Sequence, residues 1–297
     1  MIKQKREQIM PALIMCSVLG VIIIVMFIAA NSVNRNVVRD MKGEVLFYCD
    51  GIKLYDFDND KLSEIARSSC FDGKFTGDGK IVYADGESNG FSIYDPAENK
   101  VLQTVSIEKG RIKGLTYSPE NKTVLLIICD DDRYLINAYS GDDFSDVRTI
   151  ADSEYEICGL DVCDGGDVYY TVYDGNAGIL ESVGIMGKTP VKELQSDGER
   201  LTAPCAVKDF VYTCENKSTD SEIVKYSKKL GKATVPKFNS DEYNCTSIVT
   251  VSDEEYITSC DKDGKWGLYV CNGSNIVLID NITCDDDLIK VTDYNNK

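Results

Sequence analysis

The chain has 297 residues, 43% of them hydrophobic, and a formal net charge of −17 with no histidine. That length suits one large all-β domain plus an anchor. The missing imidazole excludes Ser-His-Asp and Cys-His relays and every zinc or iron site built on His. The acidic surplus repels phosphate backbones, which excludes nucleic acid as a natural partner.

The charge is unevenly placed. Residues 1–42 carry Lys3, Lys5, Arg6, Arg35, Arg39 and Lys42 against Glu7 and Asp40, which leaves a formal −21 on the remainder. Ile9 to Ala30 is a run of 22 residues without a charge. At about 1.5 Å per residue it matches the ~30 Å hydrocarbon core of a bilayer. Ala30-Asn31-Ser32 resembles a signal cleavage site, but signal h-regions run only about 7–15 residues. We therefore expect an uncleaved signal-anchor: 1–8 a short cytoplasmic tail, 9–30 a transmembrane helix, 31–42 a stalk, and 43–297 an extracytoplasmic domain. The basic residues on the two sides of the span nearly balance, so the orientation rests on the exported look of that domain.

Residues 43–297 repeat. Strand–turn–strand units centre on Leu54, Ile93, Ile136, Leu180, Val224 and Leu268, at steps of 39, 43, 44, 44 and 44 residues. A period of about 40–50 residues built of short strands predicts a β-propeller with one four-stranded blade per repeat. Blade 1 begins with strands near Val45–Cys49, Ile52–Phe57 and Leu62–Ala66 and has no inner strand ahead of them. Blade 2 shows the unit most clearly. Phe71–Thr76 leads through Gly77-Asp78-Gly79-Lys80 to Ile81–Asp85, then Phe91–Tyr94, the turn Asp95–Asn99, and Val101–Ile107. Apolar alternation bounded by Gly, Asp, Asn and Pro is the strand and hairpin signal.

Blade 3 follows with Ile112–Tyr117, Val124–Cys129, Tyr134–Tyr139 and Val147–Ile150, and blade 4 with Ile157–Val162, Val168–Tyr173, Ile179–Val183 and Val191–Leu194. Thr202–Val207, Phe210–Cys214, Ile223–Tyr226 and Ala233–Phe238 make blade 5. Blade 6 takes Cys245–Val251, Tyr256–Cys260, Trp266–Cys271 and Ile276–Ile279. The segment Leu288–Tyr294 is then left over and strand-like. It is predicted to fill the vacant inner place of blade 1, closing the ring and burying Leu288, Ile289 and Val291.

Phe75-Thr76-Gly77-Asp78-Gly79-Lys80 and Tyr117-Ser118-Pro119-Glu120-Asn121-Lys122 resemble the F-S-P-D-G-K turn of TolB-like and WD-repeat-like six-bladed propellers, and Ile93-Tyr94-Asp95 resembles their third strand. The likeness extends over most of residues 43–297 and is sharpest in blades 2 and 3; blades 4 to 6 lack the Ser-Pro pair. It implies a six-bladed fold in an exported protein, a fold that hosts binding scaffolds and some enzymes.

Twelve cysteines are many for this length. Cys16 lies in the apolar run, and the other eleven are an odd number, so at least one stays unpaired within the chain. Cys245 and Cys260 flank a hairpin and are the best disulfide candidates; Cys49 and Cys284 could clasp the ring where its ends meet. Cys205 is expected to face Tyr212 rather than Cys214. The remaining thiols read equally well as small apolar core residues. Asp56–Asp60 has an EF-hand-like alternation, but Lys61 stands where that loop needs Gly and Arg67 where it needs Glu, so it reads as a solvated turn.

No catalytic, cofactor-binding or metal-ligating set is expected. The leading expectation is a membrane-anchored propeller that binds or scaffolds a protein or cell-envelope ligand. The alternative is a lactonase- or lyase-type enzyme using a divalent metal and carboxylates that converge in the channel.

Overall fold

The computed structural model describes residues 37–38 and 40–296, apart from 188, 197–198, 209, 217–220, 228–230, 235–243, 253–254, 273–274 and 285–287. Ile9–Ala30, the tail before it and most of the stalk lie outside these residues. Among the described residues no helix is long and apolar enough to cross a membrane. The chain divides after Met41, and the unit that follows is built of strands in six sheets.

Blade 1 contains β1 (Glu44–Tyr48), β2 (Ile52–Asp56) and β3 (Lys61–Ala66). Blade 2 is β4 (Cys70–Phe75), β5 (Ile81–Asp85), β6 (Gly90–Asp95) and β7 (Lys100–Ser106). Blade 3 is β8 (Arg111–Ser118), β9 (Thr123–Asp130), β10 (Arg133–Ser140) and β11 (Asp146–Ser153). Blade 4 is β12 (Glu156–Val162), β13 (Asp167–Tyr173), β14 (Gly178–Gly184) and β15 (Val191–Gln195). Blade 5 has β16 (Arg200–Leu201), β17 (Cys205–Val207), β18 (Phe210–Asn216), β19 (Ser221–Ser227) and β20 (Gly231–Thr234). Blade 6 is β21 (Asn244–Thr250), β22 (Glu255–Lys262), β23 (Lys265–Asn272) and β24 (Asn275–Cys284). The last strand, β25 (Lys290–Asn295), pairs antiparallel with β1 and completes blade 1.

Inner strands of successive blades touch all the way round: β4 with β8, β8 with β12, β12 with β17, β17 with β21, β21 with β25, and β25 with β4. The ring is closed, and closure protects the sheet edges that face the axis. Ile289 and Val291 are buried as expected, each contributing about 1.5–3 kcal/mol. Leu288 is 44% exposed instead. It sits two residues ahead of β25, before the backbone enters the sheet, so the strand does not carry it inward.

The outer hairpin turns of blades 1 and 2 are closed by the same side-chain bonds. In blade 1 the Asp56 carboxylate accepts the N–H groups of Asp58 and Asn59, and the Tyr55 hydroxyl donates to Asp60. Blade 2 repeats this 39 residues on, with Asp95 accepting from Ala97 and Glu98 and Tyr94 donating to Asn99. Asp60 and Asn99 both have positive φ, which short polar residues tolerate. The acidic run at Asp56–Asp60 is thus a turn held by its own carboxylates.

The core lies between blades. Leu46, Ile52, Ile81 and Tyr83 pack blade 1 on blade 2; Phe91, Leu115 and Leu126 join blades 2 and 3; Leu125, Ile127, Ile136 and Tyr170 join 3 and 4. Tyr55, Tyr83, Tyr94, Tyr169 and Tyr269 are all buried and serve as packing, while Tyr48 and Tyr117 are partly exposed.

Candidate functional site

The six inner strands line the central channel, and all six carry one extra residue at the same level. Phe71 and Gly73 of β4 oppose Ala84 and Tyr83, leaving Asp72 as the extra residue. Lys113, Cys158, Thr246 and Thr292 are extra in the same way in β8, β12, β21 and β25. In blade 5, Thr202, Ala203 and Pro204 stand between Leu201 and Cys205 while only two residues stand between their partners Glu215 and Tyr212. That insertion leaves only Cys205–Val207 (β17) of the predicted strand Thr202–Val207 in the sheet, with Arg200–Leu201 (β16) as a separate strand ahead of it, and Pro204 supplies no N–H to bridge the two. Bulges bend a strand and re-aim its side chains.

The residue after the bulge is small in five of the blades, Gly73, Gly114, Gly159, Ala203 and Ser247, and at Gly159 the reason is the close approach of the next inner strand. A Cβ on Gly159 would lie 2.6 Å from the Ala203 Cα. What remains of the channel at this level is a cavity of about 30 Å³, room for about two waters.

Three carboxylates fill the wall, and each ties blades together. Asp161 Oδ1 accepts from the Lys74 ammonium at 3.0 Å and from the Thr116 hydroxyl at 2.8 Å, and Oδ2 accepts the Ala206 N–H at 2.9 Å. One side chain thus joins blades 2, 3, 4 and 5. Asp72 accepts from Lys290 at 2.6 Å and from the Leu115 N–H at 3.2 Å, joining blades 1, 2 and 3. Asp293 accepts the Phe75 N–H at 2.8 Å, joining blades 1 and 2.

Burial and pairing set the charge states. Burial pulls the Lys74 pKa down, but the charges of Asp161 and Asp293 more than reverse it, so the ammonium is held protonated. Part of the Asp293 residue reaches solvent, yet its carboxyl is enclosed. Burial raises its pKa above the usual carboxylate value, against the pull of Lys74 and the Phe75 N–H, and the nearby Asp161 adds to the rise. Burial, with Asp161 beside it, also pushes the Cys205 thiol up to about 12, so it is no nucleophile at neutral pH.

No protein-family model and no curated protein matches this chain. Solved structures do match in shape. A crystal structure of a nidogen/laminin complex contains a chain with TM-score 0.64 and 11% identity, covering 84% of this chain and 98% of that one. TolB from Acinetobacter baumannii gives TM-score 0.61 at 12% identity over 84% of this chain and 66% of its own length. A putative TolB from Agrobacterium tumefaciens gives 0.60 at 9% identity over 80% and 88%. The fold is a TolB-like six-bladed β-propeller.

Within this TolB-like propeller, the lactonase or lyase alternative requires carboxylates that converge with free oxygen ligands. Asp72, Asp161 and Asp293 reach the channel, but lysines and backbone N–H groups occupy them. Among the described residues no group of three or more Cys, Asp or Glu side chains is placed to hold a metal ion.

Cys245 and Cys260 are opposite one another in β21 and β22 and are joined by a disulfide. Cys49 follows β1 and Cys284 ends β24, in blades that adjoin in the ring; a bond between them stays a proposal. Cys205 faces Tyr212. Cys70, Cys205, Cys214 and Cys271 are buried thiols without a disulfide, acting as small apolar residues of the TolB-like blades.

Sequence reasoning missed the channel charges. Their signal was present as Asp72-Gly73-Lys74, two charges about a glycine inside a predicted inner strand, where apolar alternation leaves no reason for either.

Proposed function

We propose that this chain is a membrane-anchored binding module whose TolB-like propeller lies outside the cytoplasm and holds a protein or cell-envelope ligand on its outer surface. The observation that carries this reading is the filled channel. Its carboxylates are spent on lysines and backbone amides that cross-link the blades, and among the described residues the cavity at the level of the bulges is about 30 Å³, too small for an organic substrate. Ligands are left with the mouths and the rim, the places where loops and blade edges vary on a rigid frame. A similarly shaped propeller chain occurs in a nidogen/laminin complex, which supports a protein as the ligand class. The anchor rests on the 22 uncharged residues of Ile9–Ala30 and the basic residues before them.

The test uses the full-length chain, immobilised in detergent and titrated with fractionated extracytoplasmic proteins. Saturable binding of one discrete species with micromolar or tighter affinity is expected. Chelator-sensitive turnover of lactone substrates, or an absence of saturable binding, overturns the reading. A C-terminal epitope tag reachable by antibody on intact cells checks the orientation.

A further inference from the structure

The outer strands of three successive blades place an exposed apolar residue at one register position. Leu62, Val101 and Val147 are 48%, 44% and 48% exposed, and they face the buried Tyr55, Tyr94 and Tyr139 on the neighbouring strands. Between blades 2 and 3 this edge opens into a groove of about 580 Å³, a volume typical of ligand sites.

Its floor is apolar, formed by Val105, Ile107, Ile128, Tyr139, Phe144 and Val147. Phe144 has φ +58°, a conformation that is costly for a bulky side chain. Its ring packs edge-on against Phe91 at 5.3 Å, and Phe91 packs in turn on Tyr139 at 5.7 Å. The floor is therefore pre-formed, held open at the expense of backbone strain.

The border is acidic. Glu108 and Asp143 line the groove together with Lys109, and the exposed Asp142 of the same turn and Asp146 at the start of β11 flank it. The Ser145 hydroxyl and N–H donate to Asp143 at 2.7 and 3.1 Å, and these bonds hold its carboxyl below the usual range. A second copy of this chain would bring another strongly acidic surface against that border.

We propose that this groove docks an extended cationic segment of a partner protein, with alternate apolar side chains seated on the Phe144 floor and Lys or Arg side chains facing Glu108 and Asp143. The proposal rests on the binding reading above and names where the partner attaches and by what chemistry.

The probe is a fluorescein-labelled peptide, Lys-Val-Lys-Ile-Lys-Val-Lys, titrated by anisotropy against the purified full-length chain at about 50 mM and about 300 mM salt. Saturable one-to-one binding is expected, weakened at the higher salt and lost in the counterpart with Glu in place of Lys. Val147→Ser and Glu108→Lys are each expected to reduce affinity about fivefold or more. Both positions are exposed, so neither change threatens the fold, and Leu62→Ser on blade 1 is the control that leaves affinity unchanged. Equal affinity across all variants, or equal binding of the Glu peptide, overturns the proposal. A protein ligand that still binds when the peptide does not removes the groove alone; loss of both removes the binding reading with it.

Discussion

Lys74 and Asp161 meet at 3.0 Å across the propeller, from blade 2 to blade 4, past the blade that separates them. Blade 3 joins the contact through the Thr116 hydroxyl, and blade 5 through the Ala206 N–H. Asp161→Ala leaves a buried ammonium and a buried N–H without their acceptor. It is expected to cost about 3–5 kcal/mol in urea unfolding. The Lys74→Met, Asp161→Ala double-mutant cycle should show coupling of about 1–3 kcal/mol. Coupling near zero would mean that the pair does not hold the blades.

Gly159→Ala tests the convergence of the inner strands. The added methyl would lie 2.4 Å from the Ala203 Cβ, with no flexible side chain to move aside. A loss of about 1–3 kcal/mol is expected by thermal or denaturant melting. Gly77→Ala is the comparison, since its nearest neighbour, the Pro119 Cβ, is at an ordinary 3.4 Å. That change should fall within about 0.5 kcal/mol of the native chain.

A chain ending at Asp287 loses β25, and with it Ile289, Val291, the Lys290–Asp72 ion pair and the Asp293 contact to Phe75. Blade 1 then has an open inner edge. Differential scanning calorimetry is expected to show no cooperative transition. A melting curve like that of the full chain would disprove closure by β25.

Asp293 has a folded-state pKa raised above the unfolded value, chiefly by burial. Its contribution is therefore fully present below the unfolded pKa and fades as pH rises through the folded one. Asp293→Asn keeps an oxygen for the Phe75 N–H and removes the titration. The difference in Tm between variant and native chain should move in the variant's favour from about pH 4 upward to neutrality. A pH-independent difference would show that the carboxyl does not titrate from an enclosed site.

The blades were legible because their signals are local. Tyr94-Asp95 and Asn99-Lys100 encode a turn within seven residues, and Tyr55-Asp56 and Asp60-Lys61 encode the same turn one period earlier. The place of Leu288–Tyr294 was legible by elimination, since one blade lacked a strand and one strand lacked a blade. The bulges were not, because a single extra residue flips every following side chain to the other face and leaves composition unchanged. The channel pair was hidden for another reason: Lys74 and Asp161 are 87 residues apart, and only the closed ring brings them together. The rim groove depends on Phe144, whose left-handed backbone no pattern of neighbours announces.

The Tyr294 hydroxyl donates to the Lys42 carbonyl across 252 positions of sequence. During synthesis, β1 must therefore wait with a bare edge while five other sheets emerge and pack. A half-made molecule is an open spiral with an adhesive first strand, exposed to pairing with neighbouring nascent chains. The ring is therefore complete only once the last-made strand has covered the first.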